Sequence, residues 1–325
     1  MSWLRDSWRS RRVRTVLGWS IAIVLLAVIG VRLAQDWQQI RDADISLAPA
    51  PLVASVLLLA AYMVGRALLW HLLTLMLHTA IPVGRAVTAW LVSQLGKYLP
   101  GKVFLYAGRV LFYVRQGRQA GPVTLAFTIE LIGTFAASIL TVLLALATGS
   151  LVDVGEYRWV FVGGLVVLLV LIHPAVLSAA VRVVARLVRR PAFDVPLSYP
   201  QSLTFVALYV VTWGVFGVAF FLLVRSLYPI EPQSILALAA SFSFASMVGM
   251  LAIVVPSGLG VREGLLVVFL STLMPVPVAI LVSLLARVWF TAVELAAAGI
   301  SYLVAGGTAR DALRTASSEG VVSDA

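Results

Sequence analysis

Two short strings of helix breakers and bases hold the residues best suited to chemistry. The first is Lys97-Tyr98-Leu99-Pro100-Gly101-Lys102, followed by Arg109; the second is Pro256-Ser257-Gly258-Leu259-Gly260-Val261-Arg262-Glu263. Proline removes a backbone donor and glycine tolerates positive φ, so each string interrupts a helix. A broken helix offers backbone amides and the positive end of a half-helix dipole, and an adjacent Lys or Arg adds a full charge. Together these suit a phosphate or carboxylate, and an anionic lipid headgroup is the natural ligand. Neither string is a nucleotide motif. Gly264 falls one residue late for a dinucleotide fingerprint with Gly258 and Gly260, and Gly101-Lys102-Val103 lacks the Ser/Thr and the glycine spacing of a P-loop.

Four more charges, Arg66, Glu130, Arg287 and Glu294, fall inside apolar runs. An ionised side chain at the centre of a membrane helix costs roughly 2.5 to 3.5 kcal/mol on insertion scales, so each is expected to face a partner or an aqueous path. Structural ion pairing is the plain alternative to a role in binding. Arg287 and Glu294 are two helical turns apart, too far for direct pairing, so each is expected to meet a group from another helix. Arg66 lies four residues before Trp70, a spacing that predicts a cation–aromatic contact. The chain has no cysteine and only His71, His78 and His173, which are scattered, so no metal or other cofactor is expected.

The elements that must position these groups are membrane helices. Of 325 residues, 61% are hydrophobic and 12% charged, with a mean hydropathy of +1.02; a soluble chain is about 25% charged. Six apolar stretches, at 16–31, 52–77, 122–149, 159–172, 203–224 and 276–304, approach or exceed the roughly 20 residues that cross a bilayer. Charged Arg32 and Asp36 follow the first, which therefore reads as a retained anchor and not a cleaved signal. Two further stretches, 86–114 and 234–274, are split by the breaker strings and predict broken or re-entrant hairpins; the alternative is that they cross fully as ordinary hairpins.

Arg5, Arg9, Arg11, Arg12 and Arg14 place the N-terminus in the cytoplasm, and alternating the spans puts the C-terminus there too, in the cytoplasmic membrane. The first hairpin then enters from the cytoplasm and the second from outside, and each precedes a span carrying an acid, Glu130 or Glu294. That order suggests an inverted repeat, although the separations from Pro100 to Glu130 and from Pro256 to Glu294 differ. Residues 174–190 carry Leu177, Val181, Val184 and Val188 on one helical face and Arg182, Arg186, Arg189 and Arg190 on the other, predicting an interfacial helix on anionic lipid. The fold class expected is all-α: a single polytopic membrane domain over 1–310 and a disordered cytoplasmic tail over 311–325. The net charge of +10 belongs to flanks of apolar spans, so nucleic acid is not an expected partner.

With Gly108-Arg109, Glu130, the string Pro256 to Gly264 and Arg287 in this order, the chain resembles the lysylphosphatidylglycerol synthase transmembrane-region family, the flippase-like domain also found at the N-terminus of the multiple peptide resistance factor. The string close to P-x-G-G-L-G-x-R-E is the specific part, with Ser257 standing where glycine is common. The resemblance covers roughly residues 15 to 305 and implies a domain that moves lipids, such as aminoacylated phosphatidylglycerol, between leaflets. It does not imply the synthase activity, which in the two-part proteins belongs to a separate soluble domain, so an aminoacyltransferase is not expected. The leading expectation is a flippase for an anionic phospholipid or lipid-linked saccharide, with Lys97, Pro100, Gly101, Lys102, Arg109, Pro256, Gly258, Gly260, Arg262 and Glu263 around the headgroup. The alternatives are a membrane enzyme acting on a lipid phosphate and a non-transporting partner of a lipid-synthesis enzyme; homo-oligomerisation is also open.

Overall fold

In a computed structural model of the chain, the described residues are 47–98, 103–151, 155–171, 173, 175–176, 178, 197–252 and 258–304. The first expected span at 16–31, the interfacial helix at 174–190 apart from a few positions, the tail at 311–325, and Pro100, Gly101, Lys102, Pro256 and Ser257 lie outside them.

Every regular element among the described residues is helical, as the sequence predicts. Helix α1 (Pro49–Met76) starts with proline in its first turn, where a missing N–H costs nothing. Its last turn closes through His78, at φ 52°, and Thr79, whose amide donates to the Thr74 carbonyl at 2.9 Å. Pro82 then opens α2 (Val83–Gln94), which tightens into a 3-10 turn over Leu95–Tyr98. Helix α3 (Val103–Arg115) returns beside it. Next come α4 (Ala120–Ala147), the shorter α5 (Arg158–Leu171) and α6 (Tyr199–Arg225), the last opened by a reciprocal cap between Ser198 and Gln201. The chain ends its described part with α7 (Ile235–Leu251), α8 (Val261–Leu270) and α9 (Val276–Val304).

Five helices are long and apolar enough to cross a membrane: α1, α4, α6, α9, and α7 taken with the 3-10 turn that leads into it, Pro232–Leu251. Two details depart from the sequence reading. Helix α5, expected to cross, has 14 residues, about 21 Å at 1.5 Å per residue against a core of about 30 Å. The second interrupted stretch is lopsided, because α7 is of crossing length whereas α8 has only 10 residues, about 15 Å. The first hairpin has two short arms, of 12 and 13 residues.

In each hairpin a glycine lets the arms approach closely. A Cβ on Gly96 would sit 2.4 Å from the Leu105 amide nitrogen, and one on Gly258, at φ 65°, would sit 2.6 Å from the Gly249 carbonyl. Only the residue without a side chain lets the arms approach this far. The hairpins then exchange supports: α9 packs against α2 of the first hairpin, and α4 packs against α7 of the second. Phe216 of α6 sits at the centre of the bundle, with ring centroids of Tyr62 on α1, Phe242 on α7 and Trp289 on α9 at 5.3, 4.3 and 5.9 Å.

Candidate functional site

Among the described residues, three buried carboxylates organise the charges inside this bundle. Glu130, from the middle of α4, is ion-paired with Arg109 of α3 and accepts a hydrogen bond from Trp90 Nε1 of α2 at 2.7 Å. Arg109 also donates through Nε to Ser93 Oγ at 3.0 Å and lies 4.4 Å over the Trp70 ring. Glu294, from α9, takes Lys97 Nζ at 2.5 Å and the Tyr98 hydroxyl at 2.8 Å, both from the 3-10 turn. Glu263, in the first turn of α8, accepts from Arg287 Nη1 of α9 at 3.0 Å and from the neighbouring Arg262, whose Nη2 is 3.1 Å away. As the spacing predicts, Arg287 and Glu294 therefore do not pair with each other but with groups from other helices.

These clusters surround one cavity of about 170 Å³, with room for on the order of ten waters. Its walls come from α1, α2, the 3-10 turn, α3, α4, α6, α7, α8 and α9, and include Arg66, Lys97, Arg109, Arg262, Glu130 and Glu294. Six charged residues singled out in the sequence thus meet at a single space. Glu263 and Arg287 lie outside its lining, Glu263 pairing with both Arg262 and Arg287. Among the described residues, four cations against two carboxylates leave two positive charges on the cavity wall, and adding Glu263 and Arg287 leaves that balance unchanged.

Some expectations fail on specific contacts. The Gly260 amide, expected to be free for a ligand, donates to Glu263 Oε2 at 2.7 Å, because a glutamate three residues into a helix reaches back to cap it. Gly260 therefore supplies no amide to the cavity, and of this string's described residues it is Arg262 that lines it. Arg66 does not lie over Trp70: its guanidinium sits 4.5 Å from the Tyr209 ring centroid, and the Trp70 ring is occupied by Arg109. A helix presents i and i+4 on one face, but a neighbouring helix decides which cation reaches the ring.

Arg66 itself is the anomaly of the site. It is 6% exposed, yet only Nη2 is bonded, to Thr134 Oγ1 at 2.7 Å; Nε and Nη1 have no partner. Its nearest carboxylate oxygen, Glu130 Oε1, is 4.0 Å away. A buried donor left unmet costs about 1–3 kcal/mol, more when charged. Ser138, Ser246 and Trp213 line the same cavity and likewise carry unpartnered polar atoms. The sequence reading missed them, although Glu130, Thr134 and Ser138 recur every four residues along one face of α4, a polar stripe in an apolar helix.

Searched against protein-family models and against curated protein sequences, the chain matches none.

Proposed function

We propose that the chain carries a polar lipid between the leaflets of the cytoplasmic membrane, the cavity taking the headgroup while the acyl chains stay in the bilayer. The observation that carries this reading is the surplus of two positive charges around a cavity between the hairpins of an apolar bundle. In a low-dielectric interior that surplus attracts an anion strongly, and phosphate oxygens are good acceptors for guanidinium and ammonium donors. The arms of the first hairpin are short, about 18 and 20 Å long at 1.5 Å per residue, and Lys97 at the end of the first reaches this space. The resemblance noted in the sequence points the same way, with the N-terminus in the cytoplasm.

One observation weighs against the enzyme reading. Glu130, Glu263 and Glu294 each hold at least two donors, so a general base would first have to break a buried ion pair. A non-transporting partner subunit would tolerate loss of the cavity's charge. The test is leaflet exchange of a fluorescent lipid in vesicles containing the purified protein, compared with the Lys97→Gln variant. Exchange faster than in protein-free vesicles and slowed by the substitution supports transport. No acceleration with anionic, zwitterionic or cationic lipid refutes it.

A further inference from the structure

Among the described residues, the fully buried polar atoms around the cavity that have no partner belong to donors or hydroxyls, and none to a carboxylate. Arg66 has two free guanidinium nitrogens, Trp213 a free indole N–H, and Ser138 and Ser246 free hydroxyls. Indole and guanidinium can only donate. Each carboxylate on the wall is already engaged, Glu130 by Arg109 and Trp90, Glu294 by Lys97 and Tyr98. The other three cations of the wall each sit against a carboxylate, Lys97 on Glu294, Arg109 on Glu130 and Arg262 on Glu263. Arg66 is the one whose carboxylate contact is stretched to 4.0 Å.

We infer that Arg66 seats the phosphate of the headgroup, and that the ligand is an anionic phosphate ester rich in acceptor oxygens and not a lipid bearing a cationic aminoacyl group. The inference rests on the transport reading and narrows its substrate class. Arg66 lies over Tyr209 and is anchored through Thr134, so it can take a ligand beside it without a large cost of ordering. Trp213 Nε1 and the two serine hydroxyls supply further donors for ester or hydroxyl oxygens beside the phosphate. An ammonium would find no unengaged carboxylate here. Two of the rings on the wall, Phe242 and Phe290, already lie under Arg262 and Lys97, at 5.2 and 4.8 Å. The surplus positive charge would repel an ammonium. Arg262 is a poorer seat, because its Nε and Nη2 both lie on Glu263 Oε1.

The test is equilibrium binding to the purified full chain in neutral detergent, read by competition against fluorescent short-chain phosphatidylglycerol. The competitors are unlabelled phosphatidylglycerol, its lysyl ester, phosphatidylcholine and inorganic phosphate, with melting temperature measured on the same samples. Phosphatidylglycerol is expected to bind about tenfold or more tighter than the lysyl ester. Arg66→Gln is expected to weaken phosphatidylglycerol by about ten- to hundredfold, the weight of one charge-assisted hydrogen bond, without lowering the melting temperature. Arg66→Lys should fall between them. Inorganic phosphate that competes as well as the lipid supports the Arg66 seat and assigns it to free phosphate; weaker competition supports the seat and assigns it to the lipid.

A folded Arg66→Gln protein that binds like wild type, or a lysyl ester that binds as tightly as phosphatidylglycerol, overturns the inference while leaving transport standing. Should Arg66→Gln fail to fold, Trp213→Phe removes one free donor and must weaken phosphatidylglycerol severalfold; unchanged affinity overturns the inference. A wild-type protein that binds none of the four overturns both it and the transport reading.

Discussion

Neutralising Glu263 should unfold the second hairpin before it does anything else. This carboxylate is 1% exposed and receives Arg287 at 3.0 Å, Arg262 at 3.1 Å and the Gly260 amide at 2.7 Å. At an effective dielectric near 20, one ion pair at 3.0 Å is worth roughly 5.5 kcal/mol of Coulomb energy, and the two pairs together roughly twice that. Desolvating each of the three ions costs several kcal/mol, so the intact cluster contributes little net stability. Removing the acid alone is a different matter, since two guanidiniums are then left facing each other in an apolar bundle. The expected cost of Glu263→Gln is about 3–5 kcal/mol. The double variant Glu263→Gln with Arg287→Met should recover more than half of it, because it removes one of the orphaned charges. Thermal unfolding in detergent, followed by tryptophan fluorescence, gives both values, and hydrogen exchange at the Gly260 amide reports the cap directly. A Glu263→Gln protein that melts at the wild-type temperature, or a double variant no better than the single, would refute the view that this cluster holds the hairpin.

Three further outcomes follow from packing and topology. Gly217→Val should destabilise the bundle by about 1–3 kcal/mol in thermal unfolding, since a Cβ there lies 2.6 Å from Ala239 Cβ across the α6–α7 contact. Gly258→Ala should lower the melting temperature while the spatially open Gly264→Ala, a helical position, should not; equal effects would show that the approach to Gly249 is not what closes the turn. Because the chain has no cysteine, Gln119→Cys and Ser150→Cys, at opposite ends of α4, should label from opposite sides of sealed vesicles, the former from the cytoplasmic side.

The charges were readable from sequence because a membrane helix carries an ionised residue only at a cost, so Arg66, Glu130, Arg287 and Glu294 stand out in any apolar run. Their partners were not readable. Lys97 meets Glu294 across nearly two hundred positions of chain because α9 packs on α2, a fact of tertiary arrangement with no local signal. The shortness of α5 had a signal, since Pro174 follows the apolar run and disfavours helix at the residue before it. The capping of Gly260 by Glu263 had one as well, in the spacing of a glutamate three residues after a helix start. The two breaker strings read alike as anion sites, but among the described residues their parts divide: Lys97, Arg109 and Arg262 reach the cavity, whereas Gly258 and Gly260 build a turn.

The arrangement of charge also separates two tasks that the sequence had merged. In the first half, an acid on the spanning helix faces a base on the hairpin arm, Glu130 to Arg109; in the second the polarity is reversed, with Arg287 on the span and Glu263 on the arm. Both spans carry the charge near mid-helix. Such paired, opposite charges neutralise one another, so they join each hairpin to its own following span and leave little attraction for a ligand. Lys97 on Glu294 joins one half to the other. Of the two surplus charges, one arises where Arg262 and Arg287 share Glu263, and the other comes from α1, which precedes both hairpins in the chain and places Arg66 against the polar stripe of α4. The interrupted helices thus frame the cavity and contribute part of its charge, while the continuous α1 supplies the cation whose donors are unmet. Substitutions that preserve the pairs should therefore spare binding, and substitutions at Arg66 should not.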